Sequence, residues 1–228
     1  MNLDFSNDQK FLQEEARKFL EKENSINRNR GVLDSGHNTD TELWNKIVDL
    51  GWTGIRIPEE YGGLGLTHLE LCVIAEELGR FLAPVPFSSS VYLFTEAIIK
   101  YASEDIKQDI LPKLISGEVI GTLAVTEEFC APTAANIKTE VSNNLISGKK
   151  IAVPDAGIAT HSIIVTKSDA GISLQLINHS LDEVVVTHQE NIDESRGHFS
   201  ITLDNAPCTL IGDASNGWDL FESLMDQA

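Results

Sequence analysis

The sequence predicts an α+β chain, in which an all-helical domain is followed by an antiparallel β-barrel or sandwich. Three observations carry this. Apolar residues in the first half recur at helical spacing, and after Ser116-Gly117-Glu118 the period drops to two. The strand-like runs then follow one another too closely for intervening helices, which excludes a βαβ nucleotide fold. The expected domains are residues 1–117, helical; 118–212, β; and 213–228, the start of a further helix.

Phe5, Gln9, Leu12, Ala16 and Phe19 form the first apolar stripe, with Ser6 or Asp4 as its cap. Leu43, Ile47 and Leu50 form a second, closed by Gly51, because glycine takes the left-handed cap conformation cheaply. Between Leu69 and Leu82 apolar residues occupy nearly every side, as expected of a central helix packed all round. Val91, Phe94, Ile98 and Tyr101 make another stripe, and Ile106, Ile110 and Leu114 a last one, which Pro112 should kink or shorten. About five helices result. Strands are expected over Ser162–Thr166, Leu174–Ile177, Val184–His188 and Phe199–Leu203, with turns at Asn143-Asn144 and Asp169-Ala170-Gly171. Gly217-Trp218 opens a helical segment whose Leu220, Phe221 and Leu224 have no obvious cover, so self-association through them is expected.

Composition narrows the function classes. With 42% hydrophobic and 23% charged residues the chain should fold. Its apolar runs fall far short of the ~20 residues a bilayer span requires, and no secretion signal opens it, so the expected location is the cytoplasm. A formal charge of −18 repels polyanions and argues against nucleic-acid binding. The same charge means that a phosphate-bearing ligand needs a local basic or backbone N–H site, and none stands out. Cys72, Cys130 and Cys208 form no CxxC pair and read as reduced thiols. The histidines show no HExxH spacing, so no metal is expected; His161, His188 and His198 read as strand or loop surface residues, and His37 as part of a polar loop.

The most distinctive stretch runs from Gly51-Trp52-Thr53-Gly54 through Pro58-Glu59-Glu60-Tyr61-Gly62-Gly63-Leu64-Gly65, a tight glycine-rich connection in which Gly62, Gly63 and Gly65 permit positive φ and close approach. It lacks the strand-then-helix context of a dinucleotide fingerprint. As a string it resembles the acyl-CoA dehydrogenase family. The resemblance extends from Trp44 through Glu76-Glu77-Leu78-Gly79-Arg80 and Leu82-Ala83-Pro84-Val85-Pro86 to Leu111-Pro112-Lys113-Leu114-Ile115-Ser116-Gly117-Glu118, and continues weakly to Ala228. It implies the first two of that family's three domains, with the C-terminal helical bundle absent.

That family oxidises the Cα–Cβ bond of an acyl-CoA thioester with FAD, a carboxylate removing the α-proton while the β-hydrogen leaves as hydride. The family's Thr-Glu-Pro strand, which faces the flavin, corresponds to Leu123-Ala124-Val125-Thr126-Glu127, so the resemblance implies Leu123, Val125 and Thr126 as cofactor-binding residues. Its second flavin motif, commonly Trp-Ile-Thr, corresponds to Ala152, Val153 and Pro154, where the stacking indole, a hydroxyl and a backbone donor are lost. The substrate-lining serine is replaced by Pro132. Glu59, Glu60, Glu127, Glu128 and Asp155 read as solvated or turn residues, and no catalytic base is nominated; the family's base lies in the C-terminal domain.

The resemblance thus implies an oxidoreductase of lipid or steroid catabolism, of the fatty-acid β-oxidation type. The expected form is a fragment or short subunit that takes acyl-CoA and passes electrons to an electron-transfer flavoprotein or similar acceptor. It implies an oligomer with itself or with another dehydrogenase subunit. Two alternatives stay open: a non-catalytic partner subunit of a heteromeric dehydrogenase, or a binding module on the same scaffold.

Overall fold

The computed structural model describes residues 4–36, 38–193 and 195–227; His37 therefore lies outside the described residues. Helix α1 (Asn7–Glu23) starts with a reciprocal capping box, Ser6 Oγ accepting from Gln9 N at 3.1 Å and Gln9 Oε1 accepting from Ser6 N at 2.9 Å. The short polar helix α2 (Ile26–Asp34) was not expected, because Asn29 is its one buried residue and no apolar stripe marks it. Helices α3 (Thr41–Asp49) and α4 (His68–Arg80) follow, joined by the glycine-rich connection. There Gly62 and Gly65 adopt φ of 87° and 59°. Gly63 serves differently: a Cβ on it would lie 2.0 Å from the Ile57 carbonyl oxygen.

Two helix expectations are corrected. Helix α4 is not packed all round: Leu71, Val73, Ile74 and Leu78 are buried, while Leu69 is 56% exposed and Cys72 faces out. Its buried side carries Glu77, which Arg17 of α1 clamps through Nη2 (2.6 Å) and Nε (3.1 Å). Helix α6 (Glu104–Ile115) is not shortened at Pro112, which falls in its last turn between the core residues Leu111 and Leu114. Before it, Ser88–Thr95 is wound as a π-helix that leads into α5 (Glu96–Tyr101).

The second half forms one eight-stranded sheet, mostly antiparallel: β1 (Gly121–Ala124), β2 (Glu140–Ser142), β3 (Leu145–Pro154), β4 (His161–Ser168), β5 (Gly171–Asn178), β6 (Val184–Gln189), β7 (His198–Pro207) and β8 (Thr209–Ile211). The strand order is β6-β7-β3-β2-β4-β5-β8, with β1 also pairing β4. Two contacts depart from the antiparallel expectation. β1 pairs β4 in parallel from Gly121↔His161 to Ala124↔Ile164, and β2 meets β4 in parallel at Glu140↔Lys167. The β2–β3 hairpin separates β1 from β4, so the chain returns in its original direction.

Three apolar clusters build the core. One centres on α1, α3 and α4 and reaches Val91 and Ile120, and another lies inside the sheet. The third joins Phe94, Ile98, Leu111 and Leu114 to Leu123, Ile163, Val165 and Leu174. The π-helical segment seats directly on β1: a Cβ on Gly121 would stand 2.0 Å from the Phe94 ring, and Gly121 N donates to Ser90 Oγ at 3.2 Å. Helix α7 (Gly217–Met225) packs on the same cluster, with Phe221 and Leu224 buried and Trp218 and Leu220 partly so. This corrects the expectation of an uncovered face. β5 supplies the cover, Gly217 lying so close that a Cβ would meet Ser173 Cα at 2.5 Å.

Candidate functional site

Strand β1 ends at Ala124, so Val125, Thr126 and Glu127 leave the sheet ladder and must be held by other bonds. The next-door bulge in β3 supplies them. Ile151 N donates to Thr126 O at 2.8 Å, and Lys150 Nζ donates to Val125 O at 3.1 Å. Lys150 is fully buried, and its ammonium also meets Glu127 Oε1 at 2.6 Å. Glu127 in turn accepts from Lys138 N (2.7 Å) and Thr139 N (3.0 Å). Burial draws the Lys150 ammonium down to about 8, against the pull of Glu127. On Glu127 burial acts upward, but Lys150 and Thr139 outweigh it and hold the carboxyl below its ordinary value.

Thr126 faces an open groove of about 580 Å³ that Phe129, Ile151, Ala152, Gln189 and His198 also line. Its hydroxyl makes no hydrogen bond to a described residue, so it is free to donate or accept. Phe129 at the rim is 100% exposed. Ala152 sits in the register shift between Lys150 and Val153, with φ at 52°, a strained setting for a side-chain-bearing residue. Its N–H is engaged by Gln189 Oε1 at 2.7 Å.

The remaining sequence-derived residues divide. Leu123 and Val153 are buried in the core and do not line the groove. Pro154 is half-buried, its carbonyl accepting from Thr122 Oγ1 at 2.7 Å. Val125 and Pro132 meet at a crevice of about 10 Å³, off the groove. Of the seven, the groove brings together Thr126 and Ala152.

Two carboxylates expected to be solvated or turn residues are ion-paired, and of these Asp155 does sit in a turn. Glu127 is one. Asp155 is the other: Arg196 Nη2 reaches its Oδ2 at 2.6 Å, Ser89 donates to the same oxygen, and Arg196 Nη2 also donates to Ser89 Oγ at 2.5 Å. This cluster ties the π-helical segment to the end of β3, and Asp155 lines two open clefts of about 450 and 400 Å³. Sequence reasoning missed Lys150 and Arg196. Period-two counting from buried Ile146 does reach Lys150, whereas nothing local marks Arg196.

His161 is half-buried, His188 packs edge-on against Phe199 at 5.3 Å, and His179 Nε2 meets Ser162 Oγ at 2.6 Å. Among the described residues no group of three or more His, Cys, Asp or Glu could hold a metal ion, and no helix is long and apolar enough to cross a membrane.

Comparison with known proteins gives a consistent picture. The N-terminal domain of acyl-CoA dehydrogenase, as a family, matches residues 6–118. The mitochondrial isovaleryl-CoA dehydrogenase of Solanum tuberosum is 31% identical over 57% of this chain and 33% of its own length. A probable acyl-CoA dehydrogenase of Bacillus subtilis is 27% identical over 99% of this chain and 63% of its own length. The structure of butyryl-CoA dehydrogenase from Megasphaera elsdenii superposes on all of this chain and 64% of its own, with a TM-score of 0.90 at 20% identity. The chain spans less than two thirds of the length of each of these relatives.

Proposed function

Since the chain belongs to the acyl-CoA dehydrogenase family, we propose that the Thr126–Ala152 groove is the flavin-facing half of a site for α,β-dehydrogenation of an acyl-CoA thioester. The observation that carries this is the free Thr126 hydroxyl at a strand end, opposite a bulge in β3, in a groove of about 580 Å³. That volume lies in the range of cofactor and ligand pockets. FAD fits the groove on the Thr126 side; bound there, it would accept the hydride of the Cα–Cβ oxidation. On the β3 side the fit is poorer. Ala152 offers no indole to stack, its N–H is taken by Gln189, and Pro154 has no N–H.

The chain's own residues then have limited, definite tasks. Thr126 would donate toward a flavin held in the groove, and β3 holds the strand end in place. No base is assigned within the chain, since Glu127 and Asp155 are committed to Lys150 and Arg196. On this reading the α-proton goes to a carboxylate other than these two. Acyl-CoA is the proposed substrate, an electron-transfer flavoprotein or similar carrier the acceptor, and a dehydrogenase subunit of the same or another kind the oligomeric partner.

The weak β3 side favours one second reading, a partner subunit that keeps the fold while its own flavin contacts have decayed. Purifying the chain and recording its visible spectrum separates the two. A yellow chain that loses flavin on Thr126→Ala, with its fold intact, supports the first reading, and unchanged retention removes Thr126 from the site. A colourless chain that turns yellow only when co-expressed with a dehydrogenase homologue supports the second.

A further inference from the structure

The groove depends on three residues that no sheet ladder holds, Val125, Thr126 and Glu127, and a single buried cation grips both neighbours of the middle one. Lys150 donates to the Val125 carbonyl at 3.1 Å on one side of Thr126 and to the Glu127 carboxylate at 2.6 Å on the other. Its successor Ile151 binds the Thr126 carbonyl at 2.8 Å, and the residue after that is Ala152, whose φ of 52° turns the bulge toward the groove. Two consecutive residues of β3, Lys150 and Ile151, therefore fix three consecutive residues beyond β1.

We propose that Lys150 is the positioning residue of this edge, setting where the Thr126 hydroxyl and the Ala152 backbone stand relative to one another. A side chain there for packing alone would be apolar, because a fully buried ammonium loses its hydration and a hydrophobic residue of similar volume serves a core as well or better. What the charge adds is direction. Its bonds converge on the two residues that bracket Thr126, and through Glu127 it also orders the 138–139 backbone, whose N–H groups complete the carboxylate's shell. Lys150 touches no ligand; it acts through Thr126. Its bearing on flavin rests on the groove being a flavin site, whereas its hold on the edge does not.

The test is a thermodynamic cycle on the chain, with Lys150→Met, Thr126→Ala and the double variant titrated with FAD by fluorescence and visible absorbance. Hydrogen exchange of the flavin-free proteins is read alongside. Lys150→Met should weaken FAD binding by about tenfold or more, and by much less when Thr126 is already alanine, since the two act as one unit. Exchange should rise at residues 125–127 and 151–152 and stay unchanged in α1 to α4. Equal loss in both Thr126 backgrounds, or exchange that is unaltered or raised throughout, overturns the proposal. Should Lys150→Met not fold, Glu127→Gln keeps the shape while loosening the ammonium's grip, and it must give the same local pattern at smaller size. A wild-type chain that takes no FAD defeats the flavin reading; the exchange pattern then decides the hold of Lys150 alone.

Discussion

Replacing Arg196 with methionine should destabilise the chain by about 2 kcal/mol, and the number follows from how unevenly the ion pair is buried. The Asp155 carboxylate is 3% exposed and the Arg196 side chain 37%. Stripping a partner from a fully buried charge costs roughly 3–5 kcal/mol, because the remaining ion stays desolvated without compensation. Here the arginine already shares water, and Ser89 continues to donate to the carboxylate, so the loss is discounted to ~2 kcal/mol. With a urea m-value of ~3 kcal/mol/M for a chain of this size, the midpoint should fall by ~0.7 M. Asp155→Asn combined with Arg196→Met removes both charges and should recover most of that loss. Equilibrium urea unfolding followed by tryptophan fluorescence measures Arg196→Met, Asp155→Asn and the double variant. A single variant indistinguishable from wild type, or a double variant that loses the sum of both singles, would refute the seam as a coupled pair.

Two glycines should respond oppositely to alanine. Gly63→Ala places a Cβ 2.0 Å from a backbone carbonyl oxygen and should cost about 3 kcal/mol or more, while Gly79→Ala, in α4 with nothing within 4 Å, should stabilise by up to about 1 kcal/mol; thermal unfolding reads both. Acid should act through His179, whose imidazole burial holds down to about 4. The unfolded chain then binds the extra proton between about 6.5 and 4, so stability is lost as pH falls through that window, by about 2 kcal/mol at pH 5. His179→Gln should abolish that share of the pH dependence, and an unchanged difference between pH 7 and pH 5 would count against it.

How much was legible can be followed residue by residue. Ser6, Gly51 and the stripes of α1, α3 and α6 are local signals, and so are the period-two runs of β4, β5, β6 and β7; the sequence carries them because caps and amphipathic faces are set by neighbours a few positions apart. Helix α2 was illegible because it buries almost nothing. Thr126 and Ala152 were reached through the family string, not through spacing, and the string could not say that they would share a groove.

By itself, then, the amino-acid order determined the helical and extended segments, the change of period at residue 118 and the absence of a long apolar span. Tertiary structure alone decided the rest. Helix α7 found its cover on β5, Pro112 stayed inside α6, and Glu127 and Asp155 gained buried ion-pair partners. The physical reason is common to all of these. Periodicity reports which face a residue takes relative to its near neighbours, but whether a charge is solvated or an apolar face is covered depends on what arrives from 23, 41 or 107 residues away, as with Lys150, Arg196 and Ser89.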